Sequence, residues 1–338
     1  MANNLIKTAF LEEVRKISII ETAAPRPGQD EVLIRPILTA ICGSDVSFFE
    51  GHRAPSAYPM CLGHEVVGNI AAVGESAANL TVGQRIIVEP NYPCGECKFC
   101  RTGKGNICPN KKSLGVSIPG CFSELFVATA EFCFPIPDPI SDADAVTIEP
   151  LTVSLHALWQ SGVQPGDTIS VLGCGSTGLL LTQAARSQGV HVLAHDKVRR
   201  KLEMAHRLGA EISEEQDLAK LWQEKNVRTV FECAGSSATV EIALNSAPRG
   251  SEVILIGLSS SPASFQPLRF VREGLHLSGS LIYDHPSDFK KAISLVKEKV
   301  LSPSAIVSDT FPFESIHEAM QMAATGEAGK VLLDMRVK

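Results

Sequence analysis

The sequence predicts an α/β protein that combines a partly closed β-barrel with a parallel sheet covered by helices. Its 338 residues suggest about two domains. Short apolar runs before residue 150 are separated by Pro, Gly and Asn, which is typical of a barrel with long loops. From residue 168 onward, strand-like and helix-like segments alternate, which favours a parallel sheet with right-handed crossovers.

The individual elements are predicted from the turn-forming residues that separate them and from the spacing of the apolar residues within them. In the second half, Leu180, Leu181, Ala184 and Ala185 recur at helical spacing, and Gly209 is a suitable residue to end the next helix. The stretch from 91 to 112 is rich in Cys, Gly and Lys, which predicts a long loop that is held in place by a site of its own. The predicted strands are 31–34, 65–70, 84–88, 168–173, 191–195, 229–232, 253–256, 275–280 and 330–334, and the predicted helices include 177–188 and 198–208.

Composition excludes several classes of protein. Apolar residues make up 44% and charged residues 20%, which excludes a wholly disordered chain. A net charge of −6 argues against a nucleic-acid partner, and no apolar run is long enough to suggest a membrane span. The first ten residues lack a signal-peptide pattern, so we expect a cytoplasmic protein. In that compartment, ten cysteines indicate metal binding or catalysis rather than disulfides.

Four cysteines, Cys94, Cys97, Cys100 and Cys108, lie within fifteen residues. Four thiolates at this spacing can close a tetrahedral zinc site with no open position, which staples a loop and does not catalyse. Free surface thiols, a redox pair or an iron–sulfur cluster are the alternatives. The glycines between these cysteines supply the turns that a zinc knuckle requires, so the sequence favours structural zinc.

A glycine-rich loop follows the strand at 168. Gly173, Gly175 and Gly178 form a G-x-G-x-x-G pattern between an apolar strand and an apolar helix, the context in which this pattern binds a dinucleotide. Asp196 ends the next strand, where a carboxylate favours NAD over NADP by accepting hydrogen bonds from the adenosine ribose. A plain strand–helix turn and a helix cap are the alternatives for the glycines and for Asp196.

A third set of residues is dispersed along the first half. Cys42, His64 and Glu149 are each unremarkable alone, as a buried thiol, a core imidazole and a surface carboxylate. Together they supply the ligand types of a catalytic zinc that keeps one coordination position open.

In combination these motifs resemble the zinc-dependent medium-chain alcohol dehydrogenases over about residues 5–336. The pair Glu149-Pro150 resembles the residues at the matching position in the sorbitol and polyol dehydrogenase branch of this family. The resemblance implies a GroES-like partly open barrel at 1–152 with a structural zinc loop at 91–112. It also implies a Rossmann doubly wound NAD domain at 153–290 and a C-terminal segment, 291–338, that returns to the barrel.

The resemblance also implies roles for the metal-site residues. Cys42 and His64 match zinc ligands, and Glu65 matches a glutamate that binds the metal or swings to it. Glu149 matches a glutamate that binds zinc or orients its water. Ser44 matches the hydroxyl that takes the substrate proton. The histidine that often follows as the end of the proton relay is replaced by Ser47, so the relay ends in water or uses His52.

The implied cofactor contacts are Thr177, Lys201, Leu258 and Ser280. The resulting hypothesis is a homodimeric or homotetrameric enzyme with two zinc ions per chain. It passes hydride from a secondary alcohol (a polyol, sugar or sugar acid) to NAD, with zinc as Lewis acid. The alternatives are an L-threonine, amino-alcohol or sugar-phosphate dehydrogenase of the same family, and a catalytically inactive cofactor-binding protein.

Overall fold

The computed structural model describes residues 5–54, 58–77, 79–212 and 217–336. The chain divides into two compact units. The barrel unit comprises 1–149 and 284–338, and the sheet unit comprises 150–283. The second boundary precedes the expected 290/291, because His285 bonds Glu89 at 2.7 Å and Phe289 stacks on Phe134 within the barrel unit.

The strands alternate with helices only in the second half of the chain. Within the described residues the strands are β1 (Leu5–Glu13), β2 (Lys16–Ala23), β3 (Glu31–Ile41), β4 (Glu65–Val73), β5 (Arg85–Val88), β6 (Asn91–Tyr92), β7 (Lys112–Ser113), β8 (Phe126–Thr129), β9 (Cys133–Pro135), β10 (Thr168–Leu172), β11 (His191–His195), β12 (Glu211–Ile212), β13 (Val227–Glu232), β14 (Glu252–Leu255), β15 (His276–Gly279), β16 (Val307–Pro312) and β17 (Lys330–Asp334).

The first three α-helices have four to seven residues, and the later ones have seven to thirteen. In the same residues they are α1 (Gly43–Phe49), α2 (Lys98–Arg101), α3 (Asp142–Val146), α4 (Ile148–Gln160), α5 (Ser176–Ser187), α6 (Arg199–Arg207), α7 (Leu218–Glu224), α8 (Ser237–Ser246), α9 (Pro267–Glu273), α10 (Ser287–Lys297) and α11 (Ile316–Ala324).

The main sheet of the barrel unit runs β16-β17-β3-β4-β5-β9, with β8 also paired to β3. Both neighbours of β3 are antiparallel to it, with Val331 opposite Ile41 and Glu65 opposite Ala40. The first residues of β4 and β17 therefore flank the last residues of β3. This register brings three distant parts of the chain to one place.

Strand β3 is longer than the sequence predicts. The predicted strand ended at Ile34, yet the strand continues past Pro36 to Ile41. The register shifts between Pro36 and Leu38, so a bulge accommodates the residue that cannot donate to the ladder. Pairing with β4, β8 and β17 compensates for this interruption.

The sheet unit contains one parallel sheet in the order β12-β11-β10-β13-β14-β15. The predicted strands and crossover helices of this half are confirmed to within a few residues. Central strand β10 is buried at Ile169, Ser170 and Val171, as expected of a strand covered on both faces. The chain order reverses between β10 and β13, and such a switch point is where open α/β sheets bind ligands.

None of the described helices combines the length and the apolar character needed to cross a membrane.

Candidate functional site

The four-cysteine loop forms a compact sulfur cluster in the barrel unit. Neighbouring sulfur atoms of Cys94, Cys97, Cys100 and Cys108 lie 3.4–4.0 Å apart. These separations exceed a disulfide bond of about 2.05 Å. They match the sulfur–sulfur distance of about 3.8 Å that tetrahedral zinc with bonds of about 2.3 Å requires.

The loop backbone favours the thiolate form of Cys94, whereas burial and hydrogen bonds with Cys97 and Cys108 raise the pKa of the Cys100 thiol to about 12. Hydrogen bonds from the backbone N–H groups of Glu96 and Cys97 lower the pKa of the Cys94 thiol to about 6. A thiolate is the form that binds a metal. The residues therefore fit a closed structural zinc site.

A second cluster forms at the end of β3. Cys42 follows β3 and precedes α1, His64 precedes β4, and Glu65 is the first residue of β4. One ligand atom from each of the three lies within 4.8 Å of the other two. Bonds of about 2.0–2.3 Å to a tetrahedral zinc place its ligand atoms about 3.3–3.8 Å apart, so three side chains this close together could hold a single ion after small shifts.

Asp45 supports this cluster from behind, and the sequence analysis gave it no role. It is fully buried, and its carboxylate accepts hydrogen bonds from the N–H groups of Cys42 at 2.9 Å and Gly63 at 3.1 Å. Its Oδ1 lies 3.7 Å from Nδ1 of His64. Nδ1 of His64 is buried without a hydrogen-bond partner among the described residues, so at this distance Asp45 acts on the ring through its charge. The available signal was the position of Asp45 three residues after Cys42.

Lys330 is a second residue of this cluster that the sequence did not predict. Its side chain is 1% exposed, and its Nζ donates to both Glu65 oxygens at 2.8 Å. No local pattern marks this residue, because it lies 265 positions from Glu65.

Glu149, which the resemblance implies either binds zinc or orients its water, falls outside the group of three. It lies in the first turn of α4 and is 7% exposed. Burial alone would lower the pKa of His64, but the negative charges of Asp45, Cys42 and Glu149 raise it well above its ordinary value. Glu149 is therefore close enough to act on this site through its charge.

The charge of the cluster suits a divalent cation. Burial raises the pKa of Asp45, which indicates a poorly solvated pocket. Cys42, Glu65 and Glu149 bring further acidic groups, and Lys330 is the cation that faces them. Carboxylates and a thiolate in such surroundings are stabilised by a bound metal ion.

Ser44 lies on α1, two residues after Cys42. It is partly exposed, and its hydroxyl has no hydrogen-bond partner in the part of the chain that the structure describes. The hydroxyl is therefore free to bond an incoming group. Ser47 lies on the same helix and His52 is exposed beyond it.

In the glycine loop of the sheet unit, each glycine occupies a position where a side chain would be strained, would clash or would fill open space. Gly173 has a φ of +95°, and a Cβ on Gly178 would lie 1.9 Å from the Gly173 carbonyl oxygen. A Cβ on Gly175 would meet no atom within 4 Å. The loop therefore presents open space at Gly175, just before the N-terminus of α5. A pyrophosphate fits this position, because the first N–H groups of a helix attract anions.

Asp196 follows β11 at the same edge of the sheet. Its carboxylate accepts hydrogen bonds from the N–H groups of Cys174 at 2.7 Å and Val198 at 2.8 Å. The side chain is thus held against the glycine loop, and Val198 rather than Asp196 caps α6.

The other residues assigned to the cofactor also lie beyond strand ends or on the helices that follow. Thr177 is in the first turn of α5, and the charge of Lys201 acts on the thiol of Cys174. Leu258 follows β14 and is 75% exposed. Ser280 follows β15, and its buried hydroxyl has no partner among the described residues. Because parallel strands end at the same edge, all four belong to the edge that carries the glycine loop.

Models of known protein families match both halves of the chain. The alcohol dehydrogenase GroES-like domain model matches residues 28–138, and the zinc-binding dehydrogenase model matches 176–298. Sorbitol dehydrogenase of Bacillus subtilis (strain 168) is 31% identical over 94% of this chain and 93% of its own length.

Two solved structures are similar over almost the whole chain. The RspB alcohol dehydrogenase of E. coli CFT073, complexed with NADH, is 29% identical with a TM-score of 0.90, covering 98% of this chain and 99% of that one. A zinc-binding dehydrogenase of Sinorhizobium meliloti 1021, bound to NADP, is 27% identical with the same TM-score and coverage.

Proposed function

Because the chain belongs to the zinc-binding alcohol dehydrogenase family, we propose that it is an NAD-dependent enzyme that oxidises a secondary alcohol. The proposed substrate class is polyols, sugars and sugar acids. The observation that carries the proposal is the convergence of Cys42, His64 and Glu65 on one point, with Ser44 two residues after Cys42 on α1. The similarity to a sorbitol dehydrogenase supports the choice of polyols.

Cys42, His64 and Glu65 would hold the catalytic zinc, and the four-cysteine loop would hold the structural one. Bound at the first site, zinc supplies Lewis-acid activation that lowers the pKa of an alcohol hydroxyl. Asp45 would hold His64 in place through its charge. Glu149 contributes negative charge from outside the group of three and would bind the zinc as a further ligand or orient its water.

Ser44 would accept the proton of the substrate hydroxyl. This role suits a partly exposed hydroxyl that the described residues leave without a partner, on the helix that begins at a proposed metal ligand. From Ser44 the proton would pass to water or to His52, because Ser47 offers no basic group.

The dinucleotide would bind at the glycine loop of the sheet unit, where NAD supplies the hydride acceptor. Gly175 would allow the pyrophosphate to approach the loop backbone, and Asp196 would accept hydrogen bonds from the adenosine ribose. NAD is preferred over NADP in this proposal because a 2′-phosphate would meet the Asp196 carboxylate. Thr177, Lys201, Leu258 and Ser280 would complete the site.

The decisive experiment measures NADH production by the zinc-loaded protein with a panel of substrates, repeated with NADP. Neutral polyols, sugar acids, amino alcohols and sugar phosphates form the panel. Turnover of neutral polyols or sugar acids with NAD supports the proposal. Activity restricted to amino alcohols or sugar phosphates would favour the alternatives, and two bound zinc ions with no turnover of any substrate would contradict it.

We further propose that two chains associate through β15. This strand is at the end of its sheet and pairs with β14 alone in the described part of the chain. An unpaired strand edge is a template for pairing with another copy. Leu277 on β15 is 45% exposed. Leu268 and Val271 on the preceding helix, α9, are 66% and 82% exposed. Sedimentation should show an oligomer that Leu277→Lys and Val271→Asp dissociate.

A cytoplasmic location is also proposed. All ten cysteines, each of them in the described residues, are free thiols. Five of these are proposed zinc ligands, and thiols persist in a reducing compartment.

A further inference from the structure

Residues 114–122, the exit segment of the four-cysteine loop, lie directly against the backbone that precedes His64. We propose that Gly115 and Gly120 are positioning residues for His64, because they allow this close approach and thereby fix the place of the imidazole. This inference rests on the proposed catalytic zinc site and concerns what holds one of its ligands in position.

Hydrogen bonds pair the exit segment with the residues just before His64. Three of them, 2.9–3.1 Å long, join the N–H groups of residues 120–122 to the carbonyl oxygens of residues 61–63. One of these bonds ends on the carbonyl oxygen of Gly63, and the N–H of Gly63 donates to the buried Asp45 at 3.1 Å. Both polar backbone groups of Gly63 are therefore engaged, and His64 follows it directly.

The contact is too close to admit a side chain on the exit segment. A Cβ on Gly120 would lie 2.3 Å from the carbonyl oxygens of Gly63 and Leu62. A Cβ on Gly115 would lie 2.6 Å from the same oxygen of Gly63. Carbon–oxygen contacts normally measure about 3.3–3.6 Å, so a methyl group at either position would force Gly63 and the exit segment apart by about 1 Å.

The surroundings of the exit segment leave it little room to move aside. It follows β7, which pairs with β6 and closes the base of the four-cysteine loop. Leu114, directly after β7, is buried and donates its N–H to Pro90 at 3.0 Å. At the other end the ring of Phe122 is fully buried against Gly63. A close-packed interior transmits strain, so a displacement here reaches Gly63 and His64.

A shift of His64 matters because zinc binding depends on the geometry of the ligands. Ligand distances at a metal site are held to about ±0.2 Å. A displacement of Gly63 beyond this tolerance would move the imidazole away from the point that it shares with Cys42 and Glu65. The two glycines would thus act on the metal through His64, without touching it.

The test is the zinc affinity of the catalytic site in Gly120→Ala, measured by competition with a chelator while the four-cysteine loop stays loaded. Gly120 does not have a positive φ, so alanine there adds only the contact. Zinc at the catalytic site should bind about 10–100-fold more weakly than in the wild type. The four-cysteine loop should keep its zinc. Cobalt bound at the catalytic site should show shifted absorption bands, because one ligand has moved.

Gly83→Ala is the control. Gly83 belongs to the same unit, has a φ of +86°, and a Cβ there would meet no atom within 4 Å. Alanine at this position adds backbone strain without a contact, so zinc affinity should equal that of the wild type. Gly115→Ala adds both, because its φ is +66°, and should weaken zinc binding as Gly120→Ala does. If neither variant folds, Phe122→Leu, which loosens the same contact, should also weaken zinc binding.

The outcomes separate this inference from the function on which it rests. Zinc affinity in Gly120→Ala equal to that in Gly83→Ala would give the glycines of the exit segment a purely structural role. Equal weakening of zinc binding at both metal sites would also overturn the inference, because it would indicate a general loosening of the unit. Failure of the wild type to bind a second zinc ion beside the cysteine loop would instead contradict the proposed function.

Discussion

Oδ1 of Asp45 lies 3.7 Å from Nδ1 of His64, and Asp45 has no exposed surface. The carboxylate also bonds the N–H groups of Cys42 and Gly63. One side chain therefore fixes the backbone of one proposed ligand and faces the ring of another. The ligand set depends on this residue as much as on the ligands themselves.

Replacing Asp45 by Asn should weaken zinc binding at the catalytic site by about 10–100-fold, the usual cost of losing a partner behind a metal ligand. The substitution preserves the shape of the side chain but removes the charge that faces His64. Chelator competition measures the effect, and Asp138→Asn, an exposed carboxylate of the same unit, is the control. An affinity equal to that of the control would show that Asp45 serves only the backbone.

The two proposed zinc sites should respond differently to the loss of one thiol. Cys42→Ser should abolish turnover and leave the melting temperature near that of the wild type, because the affected site is catalytic. Cys94→Ser should lower the melting temperature by more than about 5 °C, since structural zinc contributes folding free energy and each kcal/mol shifts Tm by roughly 2–4 °C. Calorimetry and a rate assay measure both variants. Identical unfolding behaviour would contradict the division into two sites.

Ser44→Ala should lower kcat by about 10²–10⁴-fold, the usual contribution of a positioned proton acceptor. Stability should hardly change, because the hydroxyl has no hydrogen-bond partner among the described residues. Ser47→Ala, on the same helix, is the matched control and should retain wild-type kcat. Equal kcat values for the two variants would show that Ser44 does not take part in proton transfer.

Asp196→Asn should lower the preference for NAD over NADP by about 10–100-fold, because a hydrogen bond to a charged group contributes about 1.5–3 kcal/mol. The ratio of kcat/KM for the two cofactors measures this preference. Glu203→Gln, an acidic residue on the helix that follows, is the control. A preference that stays constant would mean that Asp196 serves the glycine loop and not the cofactor.

Much of this protein could be predicted because its signals are local. The sulfur cluster can be predicted from the short spacing between Cys94 and Cys108. The glycine loop can be predicted from one strand, one turn and one helix that follow one another in the chain. The parallel sheet follows from alternating strands and helices. Pro36 shows the limit of such local evidence, because pairing on both sides of β3 extends the strand past a residue that normally ends one.

By itself the sequence determined the four-cysteine loop, the glycine loop and the order of the elements, since each depends on spacing within one segment. The residues of the dispersed metal centre were assigned through the resemblance to a family. Only the tertiary structure decided that Glu149 lies outside the group formed by Cys42, His64 and Glu65. It alone brought Lys330 to Glu65. The reason is physical: pairing between strands far apart in the chain is set by the packing of the whole barrel unit, and no segment read alone contains it.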